Sequence, residues 1–300
     1  MHYLGIILGS LIGYFIGSIS WSIIIVRQVK GIDVRTVGSK NAGATNTMRE
    51  LGKRWGLVVV FLDGLKSVTT ALICFLLSMI PSTLFSETSY FIPVLFVMIG
   101  HCYPIYYRFK GGKAVACFLG LLCIANIFYL LFFLAVWFIM VAISKRVSVA
   151  SVVAALLTGL LFIWLPWVSG LNNFPVAWNS YEQWSEVWSN GWLRFSWMNY
   201  LHEPAGKISG YWFADSLLEI NIVILVGMAT LAYRHFPNIK RLKKHQEPET
   251  FPHLSSEEKV RLISYQKDRS LKGTKMSSKK RCHSAKGCCQ RFNKMSIKSK

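Results

Sequence analysis

Long apolar runs alternate with short, cationic polar stretches along most of the chain. The runs cover Leu4–Val26, Trp55–Ile80, Phe91–Tyr107, Ala114–Ala142, Val149–Val168 and Ser216–Tyr233. A bilayer core takes about 20 mostly apolar residues per helix, and these runs lie near or above that length. Helices of this composition are apolar on every face, which a soluble protein has no way to bury repeatedly. The pattern predicts an all-α, polytopic membrane protein. No Lys or Arg precedes the first run, whereas Arg27 and Lys30 follow it. It therefore reads as a retained helix with its N-terminus outside, not as a signal peptide.

Charge then orients the helices, because Lys and Arg collect on the cytoplasmic side. Arg27, Lys30, Arg35, Lys40, Arg49, Lys53 and Arg54 follow the first run, and the loop Pro81–Tyr90 has no Lys or Arg. Arg108, Lys110 and Lys113 come next, then Lys145 and Arg146. Both of these clusters read as cytoplasmic, so an even number of crossings must separate them. The Ala114–Ala142 run is therefore expected as two short helices turning near Ala125–Asn126. The resulting fold has seven transmembrane helices, with the N-terminus outside and the C-terminus cytoplasmic.

A membrane domain is expected over residues 1–246. It carries an external insertion at about 166–215 that holds seven of the eleven tryptophans. Trp184, Trp188 and Trp192 fall on one helical face, as an interfacial amphipathic helix would place them. Residues 247–300 form a basic tail, rich in Lys and Ser, expected to be disordered or held on anionic lipid in the cytoplasm. The chain's formal net charge is +20, but basic charge alone is the only support for nucleic-acid binding, and none is expected. Cys282, Cys288 and Cys289, with His283, lack a two-pair zinc spacing, so no metal is expected there.

Three polar segments carry candidate chemistry. The first is VGSKNAGATNTMRELGKRWG, Val37 to Gly56. Gly38 and Gly43 allow a close backbone approach or positive φ. Ser39, Asn41, Thr45 and Asn46 can donate hydrogen bonds, and Arg49 offers a forked cation suited to phosphate. The segment is not a Walker A loop, which needs Lys followed by Ser or Thr after the second glycine; the alternative is an ordinary polar turn between helices. The second segment, an opening loop, is RFKGGKA, within HCYPIYYRFKGGKAVACFLG. Gly111 and Gly112 are expected to expose backbone N–H groups, with Lys110 and Lys113 adding charge. A helix starting at Lys113 or Ala114 would aim its N-terminus at an anion held there; alone, the loop reads equally as a positive-inside anchor. The third is YRHFPNIKRLKKHQE, Tyr233 to Glu247, where Arg234, His235, Asn238 and Arg241 emerge as the last helix leaves the membrane. His235 is either a proton shuttle or a phosphate donor.

Two lesser features remain. In FLDGLK, Asp63 and Lys66 stand at i, i+3 inside an apolar run, as a structural ion pair or part of a site. KRVSVAS sets Ser148 and Ser151 at the start of a helix, to cap it or touch a ligand. No His is followed five residues later by Asp, no Gly-x-Ser-x-Gly elbow occurs, and no acidic cluster suits Mg²⁺. The inventory suits holding phosphate more than generating a strong base, and no cofactor or metal is expected.

Together these segments resemble the bacterial integral-membrane acyl-phosphate:glycerol-3-phosphate acyltransferases. GSKNAGATNTMRELG, from Gly38, resembles that family's GSGNxGATNxxRxxG; GHCYPIYYRFKGGKAVA, from Gly100, resembles GHxxPxxxxFKGGKGVA; RHFPNIKRLKKHQE, from Arg234, resembles RHxxNIxRLxxGxE. LDGLK and KRVSVAS are also similar to family segments. The resemblance covers about Leu4 to Glu247, apart from the Trp-rich insertion. It implies transfer of a fatty acyl group from acyl phosphate to the 1-hydroxyl of glycerol 3-phosphate, giving 1-acylglycerol 3-phosphate. The implied setting is the bacterial plasma membrane, with the site on the cytoplasmic side. The implied partners are the two substrates, membrane lipids and the enzyme that makes acyl phosphate.

The expected catalytic residues are His235, Asn238, Ser39 and Arg49. Gly38, Asn41, Gly43, Asn46, Lys110, Gly111, Gly112, Lys113, Ser148, Ser151, Arg234 and Arg241 are the expected substrate-binding residues. The glycerol hydroxyl would attack the acyl carbonyl directly, its proton going to the donor's phosphate, with His235 as the rival base. Lys40, Ala114 and His245 stand where the family's motifs have glycine. A channel or transporter for a phosphorylated anion is the alternative reading. Against it, all three clusters lie on one side, whereas a pathway should continue to the other face.

Overall fold

The computed structural model describes residues 3–85, 88–161 and 217–247. These belong to a unit spanning Met1–Thr250, and the Trp-rich insertion and the basic tail beyond Glu247 lie outside the described residues. Every regular element described is helical. α1 (Leu4–Ser18) and α2 (Trp21–Lys30) divide the first apolar run; α3 (Ala44–Leu51) lies in the first polar segment; α4 (Lys53–Ser78) and α5 (Phe91–Cys102) follow. Next come α6 (Val115–Ala125), α7 (Ile127–Ser144), α8 (Val147–Leu160), α9 (Leu217–Arg234) and α10 (Phe236–Lys243), with short 3₁₀ turns at Val34–Thr36 and Ile105–Tyr107.

Leu4–Lys30, Lys53–Ser78 and Ile127–Ser144 are long and apolar enough to cross a membrane, and α9 with α10 makes a fourth candidate bent by 49°. Phe61, Phe138, Ile139 and Ile143 stand exposed, as side chains facing lipid do. The break expected near Ala125–Asn126 is present. Asn126 is extended between α6 and α7, and its Oδ1 accepts the Phe128 N–H at 2.8 Å, capping α7. A second break, at Ile19–Ser20, is not marked by any proline or charge in the sequence.

α1 packs along α5 and α4, α7 along α8, and α6 against α4, with α9 set between α5 and α8. The α1–α5 contact follows from glycines at every fourth position, Gly5, Gly9, Gly13 and Gly17, all buried on one face. Such spacing lets backbones approach closely. A Cβ on Gly13 would lie 2.5 Å from the Pro93 carbonyl, one on Gly17 would overlap Val97, and one on Gly100 would overlap the Tyr14 carbonyl. The main core gathers Val94, Met98, Phe118, Leu121, Tyr129, Phe133, Ile224 and Leu231, and the Phe118 and Phe133 rings meet edge-on at 5.9 Å. A smaller core of Ile23, Val26, Val34 and Ala42 lies under the first loop.

Alanine is the better helix former by about 1 kcal/mol, so Gly13→Ala and Gly17→Ala would stabilise an uncrowded helix. Here each is expected to lower the melting temperature of the detergent-purified protein. A rise for both would show that α1 and α5 do not meet through these glycines.

Candidate active site

The first loop is organised by Asp33, Arg35 and Asn46. Gly31 closes α2 at φ 72°, its N–H on the Arg27 carbonyl at 2.9 Å. Asp33 then accepts the Arg35 backbone N–H at 2.9 Å and grips its guanidinium with contacts of 3.0, 3.1 and 2.7 Å. That hydrogen bonding holds the Asp33 carboxyl below its ordinary value and raises Arg35. Arg35 Nη1 reaches the carbonyls of Tyr107 (2.8 Å) and Lys110 (3.1 Å), stitching the first loop to the opening loop. Neither residue is singled out by the sequence motifs.

Asn46 is buried and works inside the loop. Its Nδ2 donates to the carbonyls of Val34 (2.7 Å) and Val37 (3.0 Å), and its Oδ1 accepts the Ser39 N–H at 3.0 Å. Asn46 is expected to bind substrate; in this structure both of its amide hydrogens are engaged by backbone. Gly38, at φ 56°, leaves room for that amide, since a Cβ there would overlap Asn46 Oδ1. Gly43 is extended at φ −169° and opens α3, its carbonyl accepting from the N–H groups of Asn46 and Thr47. Ser39 and Arg49 are exposed and Asn41 is half-buried.

The opening loop also differs from expectation. The N–H groups of Gly111 and Gly112 are not free. They donate to the carbonyls of Cys102 (3.2 Å) and His101 (3.0 Å), which the end of α5 leaves without helical partners. Close approach requires both glycines. A Cβ on Gly111 would lie 2.5 Å from Pro104 Cδ, and one on Gly112 would lie 2.5 Å from the Ala42 carbonyl and overlap the His101 ring. The carbonyl of Gly112 accepts from Arg234 Nε (3.2 Å) and Nη2 (3.0 Å), while that guanidinium lies 4.8 Å over the Tyr103 ring. Arg234 thus clamps α9 to the loop. Lys110 is exposed, and its ammonium makes no hydrogen bond or ion pair among the described residues.

The third segment closes the cluster. Lys113 Nζ donates to Asn238 Oδ1 at 2.7 Å; Asn238 Nδ2 donates to Ser148 Oγ (2.8 Å) and Glu247 Oε1 (2.6 Å). Ser148 Oγ and Arg241 Nε reach the two Glu247 oxygens at 3.0 and 2.8 Å. Burial opposes the Glu247 charge, but hydrogen bonds from Asn238, Arg241 and Ser148 outweigh it and hold the carboxyl below its ordinary value. Burial, aided by repulsion from Arg241, Arg234 and Arg49 and opposed by Glu247, pushes Lys113 down to about 8. His235 is buried at the bend between α9 and α10, with Nδ1 2.9 Å from the Leu231 carbonyl. A carbonyl only accepts, so in the neutral ring Nδ1 carries the proton and Nε2 keeps its lone pair. Ser151, also expected at the site, makes no hydrogen bond to this cluster: it is fully buried and accepts from Trp137 Nε1 at 3.1 Å. Glu247 is absent from the expected site residues. Its signal was being the only acid in the cationic stretch from Arg234 to Glu247.

A cationic, amide-rich cluster gathered at the ends of apolar helices, in a chain with helices long enough to cross a membrane, belongs to an integral membrane protein. A family model described as glycerol-3-phosphate acyltransferase matches residues 7–190. The glycerol-3-phosphate acyltransferase of Mycoplasma mycoides subsp. mycoides SC is 59% identical over 256 residues, covering 84% of this chain and 95% of its own. That of Mesoplasma florum is 48% identical over 250 residues, covering 83% and 96%. The crystal structure of PlsY (YgiH), an integral membrane glycerol 3-phosphate acyltransferase in its glycerol 3-phosphate form, is similar with a TM-score of 0.56 and 29% identity. That match covers 82% of this chain and 95% of PlsY. The chain belongs to the glycerol-3-phosphate acyltransferase family.

The three motif glycines replaced here share one backbone state. Lys40, Ala114 and His245 sit at φ 56°, 57° and 56°, the left-handed region. Side chains adopt it at a cost of roughly 1–2 kcal/mol that glycine avoids. Ala114 directly precedes α6 as its N-cap, and Lys40 and His245 are exposed in turns. Restoring glycine at each position singly is expected to raise stability by about 1 kcal/mol, read from thermal melts in detergent. An unchanged or lower melting temperature at all three would remove backbone strain as the cost of these replacements.

Proposed function

We propose that the protein transfers a fatty acyl group from acyl phosphate to the 1-hydroxyl of glycerol 3-phosphate, releasing 1-acylglycerol 3-phosphate and phosphate. The setting is the bacterial plasma membrane. The proposed topology has seven transmembrane helices, N-terminus outside and C-terminus cytoplasmic, with the site on the cytoplasmic face. The membrane domain spans residues 1–246, with an external insertion at about 166–215 and a basic tail over 247–300.

One observation supports the reading above others: side chains far apart in sequence converge on a single anion-binding arrangement. Lys113 meets Asn238, 125 residues away, and Asn238 meets Ser148, 90 residues away. Asn238 and Ser148 donate at present to the Glu247 carboxylate, while Lys113 donates to Asn238, and the same donors suit a phosphate oxygen. Arg49, exposed within electrostatic reach of Lys113, and Lys110, exposed in the opening loop, supply charge for a second phosphate. Ser39 and Asn41 line the edge of the first loop, and Gly38, Gly43, Gly111 and Gly112 shape the backbone around it.

Acyl phosphate is already activated, so no covalent enzyme intermediate is needed. The glycerol hydroxyl oxygen bonds to the acyl carbon, the bond from that carbon to the phosphate oxygen breaks, and the hydroxyl proton leaves on the departing phosphate. Lys113, Arg241 and Arg49 stabilise the charge that develops there. The lone pair on His235 Nε2 accepts a hydrogen bond and orients the attacking hydroxyl.

Purified protein should be incubated with labelled glycerol 3-phosphate and, in parallel, acyl phosphate, acyl-CoA or acyl carrier protein thioester. Labelled lysophosphatidate is expected from acyl phosphate. Product from the thioesters alone would overturn the donor, and no product from any of them would overturn the reaction.

The pH dependence tests the roles of Lys113 and His235. With Lys113 titrating at about 8, kcat/KM for glycerol 3-phosphate should fall as pH rises through 8, because the cation is lost. Stability should move the other way. Lys113's folded pKa lies below the ordinary value of 10.5, so the cost of burying its charge is present below pH 8 and is relieved as pH rises toward 10.5. Falling activity without loss of melting temperature therefore marks titration, not unfolding. Lys113→Arg should flatten this limb, and His235→Gln should lower the rate while keeping the profile's shape. Loss of the acid limb in His235→Gln would make His235 the base.

A further inference from the structure

Asp63 and Lys66 stand one helical turn apart on α4, inside the apolar bundle and outside the cluster just described. Their side chains are each 3% exposed and approach to 2.7 Å. Lone charges in such a place are costly and need partners. Lys66 Nζ finds two in the carbonyls of Gly17, at 3.3 Å, and Ile19. These belong to the last turn of α1 and the break before α2, where carbonyls have no helical donors. Lys66 therefore caps the broken first helix from the side.

Asp63 faces the other way. His101 Nδ1 lies 3.7 Å from Asp63 Oδ1, too far for a hydrogen bond, and neither atom has a hydrogen-bond partner among the described residues; the His101 side chain is 6% exposed. His101 in turn carries the opening loop. Its carbonyl accepts the Gly112 N–H at 3.0 Å, and its ring lies so close to Gly112 that a Cβ there would overlap it. α6, which follows the loop, is fastened to the same stretch of α4. The Cys117 Sγ–H donates to the Asp63 carbonyl at 3.3 Å, and Ser67 Oγ donates to the Cys117 carbonyl at 2.8 Å. The contacts run from the α1–α2 break through Lys66 and Asp63 to His101, and end on Gly112, whose carbonyl Arg234 holds from the opposite side.

We infer that Asp63, Lys66 and His101 are positioning residues, a buried charged joint that sets where the opening loop stands for glycerol 3-phosphate. The inference rests on reading that loop as part of the glycerol-phosphate site. None of the three touches the Lys113–Asn238–Glu247 cluster; they act through Gly112. The ion pair sets the Asp63 carboxylate beside His101, and the His101 ring packs directly under Gly112.

The test compares His101→Leu, His101→Asn and Asp63→Asn/Lys66→Met with the wild type. His101→Leu removes the polar atoms beside Asp63, His101→Asn keeps a polar group there, and the double variant neutralises the pair without leaving one charge unpaired. Small displacements of a positioning element cost up to about 100-fold. The KM for glycerol 3-phosphate is expected to rise about tenfold or more in His101→Leu and in the double variant, with kcat within about threefold of wild type. His101→Asn should recover most of the loss. Amide hydrogen exchange over residues 103–114, measured on the same proteins without substrate, should quicken in the two impaired variants and not in His101→Asn.

Unchanged KM and unchanged exchange in folded His101→Leu would overturn the inference. So would equal losses in His101→Leu and His101→Asn, which would mark a packing role alone. Should His101→Leu fail to fold, His101→Asn and the double variant carry the same comparison. Wild type with no acyltransferase activity would instead sink the proposed function, while the exchange result would still decide whether the joint holds the loop.

Discussion

Several cations held together beside lipid repel one another, and the arrangement persists only if something offsets that repulsion. In this protein the offset is one carboxylate. Glu247 accepts from Asn238, Ser148 and Arg241, and around it Lys113 keeps a proton that burial and three arginines work to remove. Much of the local fold serves this balance. α10 turns back at His235 to bring Asn238 and Arg241 round, α8 begins at Val147 to present Ser148, and Arg146 holds the Glu247 carbonyl at 3.1 Å. In the proposed reaction a phosphate would meet donors already gathered there, in the place the Glu247 carboxylate now takes.

Much of this was legible in the chain. Phosphate recognition draws on few residue types, so Asn238, Ser148, Lys113 and Arg241 stand out wherever they collect between apolar runs. Charge parity located the break at Asn126, because the positions of Lys113 and Lys145 constrain the path between them. Other features left no such trace. The break at Ile19–Ser20 interrupts a stretch with no proline and no charge, and its partner is Lys66, 47 residues away. The glycine pair read as exposed donors, yet hydrogen bonding to the end of α5 engages both N–H groups. Ser151 read as a site hydroxyl because it lies at the start of a helix beside a cationic loop; on α8 it meets Trp137. In each case the residue type was informative and its direction was not, since direction depends on which helix lies alongside.

The glycines show the same division. Gly13 and Gly17 serve contact between helices, Gly38 serves a backbone angle, and Gly112 serves contact with a ring. Where the chain puts Lys40, Ala114 and His245 in left-handed turns, the backbone path is kept and a side chain is carried in a conformation it disfavours. The helices and hydrogen bonds around those turns are what hold them there.

The cap that Lys66 places on the broken first helix bears on how the protein is made. A chain leaves the ribosome N-terminus first, so α1 and the carbonyls of Gly17 and Ile19 are synthesised before the lysine that will need them. When α4 enters the bilayer, its ammonium meets acceptors already in place, together with Asp63 one turn away on its own helix. The order of synthesis thus supplies the solvation that lipid withholds, and ties the insertion of the fourth helix to the prior presence of the first.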